Sequence, residues 1–468
     1  MAKMFKHSED ANVKELAIFT TPPTNTSVCN PRYSEHHPVS GITSVIHFSI
    51  KGNSLKYLDL RRTRLYVKCK IVDKNGDPPP PVVDYSQIPS ETPRNREKCD
   101  SSPNPEDNDV NNYDNQSNFS FPEVVFPINH LLRTMWKQVE VFAGGKLISS
   151  GSSNYHYKSY IKTLLHECKD EGQKKRMCTE MFYPDKPPFH DKINGLNLNE
   201  GGYTRQLNCG PNHTFEMEGL LGEDVFDLDK YIINGVNVDI KLYPERSSFV
   251  LMTNNPDKEY KLIIEQAILK VGTVDVSNII VGAHDNSLAK GGMGQYFFTQ
   301  STLNNYSISR GERNFSQCVF QGNVPQRITV GLVSSERYNG SYILNPLKFH
   351  HYNITSMSVL INDVNTPHRP MTMNFRKGQF ASPLFNILTA YDSIIIDKEA
   401  FENGYSLFVF DINPPQDRNE LSLQETGTVR LEITFEEELT KSVQILIYGE
   451  FQSCFQIDHS RAVIYTPI

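Results

Sequence analysis

Residues 126–167 read FPINHLLRTMWKQVEVFAGGKLISSGSSNYHYKSYIKTLLHE. The stretch holds the chain's single tryptophan, Trp136, and then alternates through Val139, Glu140, Val141 and Phe142. Ala143-Gly144-Gly145 breaks that run and Lys146-Leu147-Ile148 resumes it. Two short extended runs around a Gly-Gly pair predict a β-hairpin whose turn residues have positive φ. From Tyr155 the period changes. Tyr157, Tyr160, Ile161, Leu164 and Leu165 recur at three- and four-residue steps, the pattern of a short amphipathic helix reaching Cys168.

Outward from this unit the chain is mostly strand. Ile42–Ile50 and Tyr57–Val72 alternate in the manner of a half-buried antiparallel sheet. Residues 1–41 are polar and proline-bearing and read as an extended N-terminal arm. Its Leu16, Ile18 and Phe19 give it something to bury on this or a neighbouring subunit. Asp73–Ser120 contains Pro78-Pro79-Pro80-Pro81, many Asp and Asn, and almost no aliphatic residue after Ile88. Such a composition cannot offset its ordering entropy, so it is expected to be a solvated loop inserted in the sheet. Lys169–Pro211 reads as a polar connection. In the second half, strands are expected at Tyr260–Val276, Gln295–Thr299, Gln317–Phe320, Arg327–Val333, Tyr352–Ile361, Ser406–Phe410, Val429–Phe435 and Val443–Phe451. A short helix is expected near Ile279–Leu288. Gly, Pro and Asn turns between strands argue for sandwiches rather than a parallel α/β sheet.

With 468 residues, two domains are the natural expectation. Lys+Arg number 47 against 54 Asp+Glu, so no global basic field recruits nucleic acid. The 8 cysteines are scattered without any C-x-x-C spacing, which removes the zinc-ribbon and redox-motif readings. The first residues lack the apolar core of a signal peptide, and no apolar run is long enough to span a bilayer. The expectation is a chain made inside the cell and not secreted through a signal peptide.

The two halves repeat. Tyr57–Asp73 is matched with Glu259–Asp275, and Trp136–Gly145 with Ile354–Asp363. Val225-Phe226-Asp227-Leu228 followed by Asn234–Ile240 is matched with Val409-Phe410-Asp411-Ile412 followed by Thr426–Ile433. Phe249-Val250-Leu251 is matched with Val443–Leu446. An offset of roughly two hundred residues is the size of a domain rather than a solenoid repeat. The expected fold is all-β: two tandem jelly-roll sandwiches, at residues 42–255 (with the insertion 73–120) and 256–468, joined by connections with short helices.

Several blocks resemble a known family. They are Glu15–Phe19 with Pro22–Ser27, Tyr57-Leu58-Asp59-Leu60, Val139–Phe142 with Gly145–Ile148, Asn154–Leu165, Gln321–Arg327 and Asn345–Phe349. They are similar to the double-jelly-roll major capsid protein (hexon) of Polinton or Maverick elements and adintoviruses, related to virophage capsid proteins. The resemblance spans nearly the whole chain and is most specific in the hairpin-helix block. The long 73–120 loop and the Ala-Gly-Gly turn depart from the pattern. The resemblance implies a homotrimeric, pseudo-hexagonal capsomer that tiles an icosahedral shell around double-stranded DNA. It also implies that the chain resides in the virion, beside a minor or penton protein at the vertices.

Residue patterns for chemistry are weak. His350-His351 and His36-His37 lack the His-x-His, carboxylate and third His of a cupin-type metal site. His156 and His166 do not share a helix face. Gly291-Gly292-Met293-Gly294 lacks the Gly-Lys-Ser/Thr of a phosphate loop and reads as a turn. Glu436-Glu437-Glu438, Arg61-Arg62 and Lys174-Lys175-Arg176 are short charge runs of the kind that face solvent. No G-x-S-x-G or cysteine-protease signature occurs. No catalytic, cofactor or metal residue is therefore assigned, the chain is not expected to be an enzyme, and any contact with packaged DNA would be weak and nonspecific. The rival readings are a β-sandwich carbohydrate-binding or surface/fibre module and a cupin-type enzyme.

Overall fold

The computed structural model describes residues 21, 24–42, 44–81, 123–193, 198–391, 393–413 and 423–465. Leu16, Ile18 and Phe19 of the expected arm, and residues 82–120 of the expected insertion, lie outside these. Among the described residues, eight strands build the two main sheets of the first unit: β1 (Val28–His36), β2 (Ile46–Ile50), β3 (Lys56–Asp73), β4 (Trp136–Ala143), β5 (Lys146–Leu147), β6 (Thr214–Leu220), β7 (Val238–Pro244) and β8 (Tyr260–Val276). Eight more form the second: β9 (Gly294–Ile308), β10 (Asn314–Asn323), β11 (Arg327–Ser334), β12 (Ile354–Ile361), β13 (Val364–Thr372), β14 (Leu407–Asp411), β15 (Thr426–Phe435) and β16 (Val443–Ile457). Three helices matter below: α1 (Tyr155–Lys162), α2 (Asn278–Ala289) and α3 (Ala381–Tyr391).

The sheets run β1-β8-β3-β6 and β2-β7-β4-β5 in the first unit, and β9-β16-β11-β14 and β10-β15-β12-β13 in the second. Each order in the second unit is that of the first with eight added to every label. The last strand of each unit returns to lie between its first and third, the crossing that makes a sandwich a jelly roll. The molecule is two tandem jelly rolls, roll 1 and roll 2.

Alternation builds the facing layers. In β7, Val238, Ile240 and Leu242 are buried while the residues between them are only partly so. In β15, Val429, Leu431, Ile433 and Phe435 do the same. Trp136, fully buried at the start of β4, donates its indole N–H to the Leu132 carbonyl at 2.8 Å. The expected hairpin closes as predicted: Ala143 pairs with Lys146, and Gly144 and Gly145 turn at φ 53° and 79°. Its counterpart in roll 2 turns through Asn362 and Asp363 at φ 49° and 64°. Both φ signs belong to the type I′ turn, which suits the twist of a two-residue hairpin.

The repeat exists, but part of its alignment shifts. Matched Trp136–Gly145 and Ile354–Asp363 are indeed equivalent, as β4 and β12, and so are β7 and β15. Tyr57–Asp73 and Glu259–Asp275, by contrast, are partners: Leu65 lies opposite Leu269 and Asp73 opposite Tyr260 in one sheet. Their likeness arises because neighbouring central strands of a sheet bury the same faces. The topological equivalent of β3 is β11, and that of β8 is β16. Roll 1 consequently runs to Val276, beyond the expected division between residues 255 and 256, and α2 links it to roll 2. Val225-Phe226-Asp227 is a turn of 3-10 helix rather than a strand. Phe249-Val250 closes a short helix before Leu251–Thr253, which pairs with Val125–Pro127. Within the expected arm, β1 is a strand paired with β8 of its own chain. Ser27 also accepts from the Ser277 N–H at 3.0 Å.

The turn offers a clean test, because a Cβ added at Gly145 would meet no described atom within 4 Å. Gly145→Val therefore isolates the cost of positive φ. It is expected to lower stability by about 1–2 kcal/mol, and Gly145→Asn by less. Urea unfolding followed through the fluorescence of Trp136, on the strand that leads into this turn, measures both.

Candidate functional site

A buried group of ionisable side chains lies in the junction between the rolls. The chain leaves β5 into α1, and every residue of α1 is buried, including Lys158 and Lys162. The expected amphipathic helix thus has no water-facing side. Its polar face is enclosed and neutralised. Lys158 Nζ lies 2.9 Å from both Glu223 Oε2 and Asp224 Oδ2. Lys162 Nζ lies 3.1 Å from Asp224 Oδ1 and 2.5 Å from Asp227 Oδ2. Asp224 then reaches across to roll 2, where it accepts from the Ser301 backbone N–H at 2.8 Å and from the Ser301 hydroxyl. Burial disfavours the charged carboxyl of Asp224, yet the two ammonium groups hold it below the usual carboxylate range. Glu223 is pushed up by burial, with Lys158 only partly opposing.

The chain between residues 169 and 211 supplies further ties. Asp185 receives Arg205 Nη2 at 2.5 Å within roll 1, and Asn345 Nδ2 from roll 2 at 2.8 Å. Arg337 of roll 2 grips Asp191 with both terminal nitrogens, at 2.5 and 2.8 Å. Lys348 adds a contact at 3.3 Å and the Asn345 N–H one at 2.8 Å. Burial opposes ionisation of Asp191, and Arg337 and Lys348 overcome it, leaving its carboxyl far below the ordinary range. Apolar contacts fill the rest of the seam. Tyr157 stacks on Tyr338 with centroids 5.8 Å apart and donates its hydroxyl to the Pro346 carbonyl at 3.1 Å. Tyr160 stacks on Phe349. This ensemble fixes one roll against the other. The residues are engaged with one another, so the arrangement is that of a rigid joint.

Several of the histidines and members of the charge runs weighed from sequence have structural partners. His350 Nδ1 accepts from the Tyr352 N–H at 2.9 Å and His351 Nδ1 from the Asn353 N–H at 3.0 Å, bracing two left-handed residues before β12. His351 also stacks on Phe375 at 3.8 Å. His36 meets Ser34. His156 packs between Tyr157 and Phe249. His166, in the wider turn after α1, contacts Glu450 of roll 2 at 2.5 Å, and Arg327 approaches the same carboxylate at 3.5 Å. Arg62 pairs with Asp59, Lys174 with Glu171, and Arg376 with Glu436 and Glu437. Residues 291–294 join α2 to β9. Among the described residues, no group of three or more His, Cys, Asp or Glu is placed to hold a metal ion.

Two outcomes follow. Lys158→Met leaves Glu223 and Asp224 buried with less compensation and should cost ~3–5 kcal/mol in urea unfolding. Combining it with Glu223→Gln should recover part of that loss. Separately, burial holds His156 and His351 down to about 3 and His190 to about 4. Unfolded, each takes a proton near pH ~6.5, so stability should decline as pH falls from about 6.5 toward 4. Glu167, held at about 2 by Arg133 against the effect of burial, adds a further loss only below about pH 4. Among the described residues, neither ring nitrogen of buried His190 has a hydrogen-bond partner. Thermal melts from pH 8 to 4 should therefore show a shallower acid decline for His190→Phe than for the unaltered chain.

No family model matches the chain. "Uncharacterized protein F54H12.2" of Caenorhabditis elegans is 25% identical over 433 residues, covering 90% of this chain and 93% of that protein. Among solved structures, a chain of the Sputnik virophage particle superposes with a TM-score of 0.59 at 10% identity, over 100% of this chain and 93% of its own. The Faustovirus major capsid protein gives 0.54 at 9% identity, over 93% and 92%. A chain of the PBCV-1 virus capsid gives 0.53 at 7% identity, over 96% and 99%. At such identities the likeness is one of fold, and it runs end to end through both rolls: the chain has the double-jelly-roll fold of these viral proteins.

Proposed function

We propose that this chain is a major capsid protein whose homotrimers form pseudo-hexagonal capsomers, and that these tile an icosahedral shell around double-stranded DNA. The observation that carries the reading is the doubled sheet order, held rigid by the buried junction and matched along almost the full length of the Faustovirus major capsid protein. Two like sandwiches per chain are what a threefold assembly needs to present six similar flanks. The chain would reside in the virion, touch other copies of itself, meet a minor or penton protein at the vertices, and contact DNA at most weakly and without sequence preference.

Obligate interfaces of this kind bury about 2,000–5,000 Å², so the trimer should persist on dilution. Light scattering on the purified protein is expected to give a three-chain mass, and electron microscopy of that peak a hexagonal outline. A monomer at every concentration tested would overturn the reading.

A further inference from the structure

The three helices differ in how they are held. α1 is buried along its whole length, and α3 along the side that carries Pro383, Ile387 and Tyr391. α2, which joins the rolls, buries only Leu288. One side of it is fixed by contacts at helical spacing. Val281 packs against the core, His284 Nδ1 lies 2.9 Å from the Tyr57 hydroxyl, and Asp285 receives Arg461 Nη2 at 2.7 Å. With Leu288 these residues define the held side of the helix.

The opposite side carries Ile279, Gly282, Ala283 and Asn286, again three and four residues apart. Ile279 is 84% exposed, and Ala283 and Asn286 are exposed as well. A Cβ added at Gly282 would meet no described atom within 4 Å. The first two turns of α2 therefore present an apolar step, one large side chain beside two residues small enough for another segment to come close.

The chain upstream of β1 arrives at this step. Val28 pairs with Val276, and the Ser27 carbonyl accepts from the Ser277 N–H at 3.0 Å, immediately before α2 begins. Residues 14–20, which lie outside the described ones, read Lys14-Glu15-Leu16-Ala17-Ile18-Phe19-Thr20. Phe19 stands eight residues before Ser27, a reach of up to about 28 Å. The twelve residues of α2 extend about 18 Å, so the tether covers the whole helix. It also holds the apolar segment beside α2 at an effective concentration on the order of millimolar, which a separate partner would have to match.

We infer that the Leu16, Ile18 and Phe19 segment docks on the Ile279, Gly282 and Ala283 face of α2 in its own chain. The seat lies at the join between the rolls and shields an isoleucine that would otherwise stand in water. It needs only one chain, so it goes beyond the capsomer reading and does not depend on it.

The test uses the full chain with an aliphatic diazirine residue, close to isoleucine in size, in place of Ile279. After illumination, mass spectrometry is expected to find adducts in residues 14–20, with the denatured product at the mass of one chain. Hydrogen exchange then compares the unaltered chain, Leu16→Asp/Phe19→Asp, and the control Val364→Asp at the exposed β12–β13 turn. Amides of residues 278–289 should exchange about tenfold faster in the double variant and unchanged in the control. Circular dichroism and Trp136 fluorescence check that each variant is folded. Adducts confined to other segments, or a two-chain product joined through residues 14–20, overturn the inference, as does unchanged exchange in a folded double variant. If the double variant fails to fold, the adduct position decides. Light scattering on the same samples keeps the two readings apart: a monomer with adducts in its own residues 14–20 would overturn the capsomer and leave the seat.

Discussion

Lys158 and Lys162 sit on a helix with no side open to water, and their charges have to be met inside the protein. Glu223 and Asp224 meet them there, Asp227 reaches Lys162 from the surface, and Asp224 also holds Ser301 of the other roll. Removing charges from water is expensive, and their mutual attraction offsets it only where geometry and hydrogen bonding are complete. That condition ties α1, the 3-10 turn at Asp224–Asp227 and strand β9 to one arrangement. The Asp191–Arg337 pair repeats the device elsewhere in the seam. Greasy contacts such as Tyr160 on Phe349 tolerate sliding far better than these pairs do. These pairs therefore favour one arrangement of the rolls alongside the aromatic seam.

How much of this was legible in the sequence depends on whether a residue's neighbours are near in the chain. The hairpin at Gly144-Gly145 and the alternation of β7 and β15 are local, and their reading stands. The pairing of β3 with β8 is not local, and the two strands look alike because they share a sheet, so in sequence their pairing reads as repetition. Residues 169–211 read as polar connection since composition does not distinguish a solvated Asp from one gripped by an arginine distant in the chain. Asp185, Asp191 and Arg205 are of the second kind. The four-residue Asn154-to-Lys158 and Lys158-to-Lys162 steps were the available signal: polar residues at helical spacing on the same helix as buried tyrosines imply that something charged faces them.

The histidines carry a similar lesson. His350-His351 drew attention as an adjacent pair, and its use is conformational: each ring nitrogen secures a backbone N–H in a left-handed turn. Nothing in sequence separates such a brace from a ligand, because both need an imidazole lone pair aimed at a fixed point.

In each roll the strand made last is the one its sheet cannot do without. β8 lies between β1 and β3, and β16 between β9 and β11. As the chain leaves the ribosome, β1 has no partner until residues 260–276 have emerged, and β9 waits likewise for residues 443–457. Folding must bridge most of a roll's length before its central pairing can form, which makes closure slow and dominated by distant contacts. A chain cut short before Tyr260 would carry β1 and β3 with open edges toward a missing neighbour, the kind of surface that joins other chains indiscriminately. Each roll therefore completes its fold only after synthesis has passed its last strand.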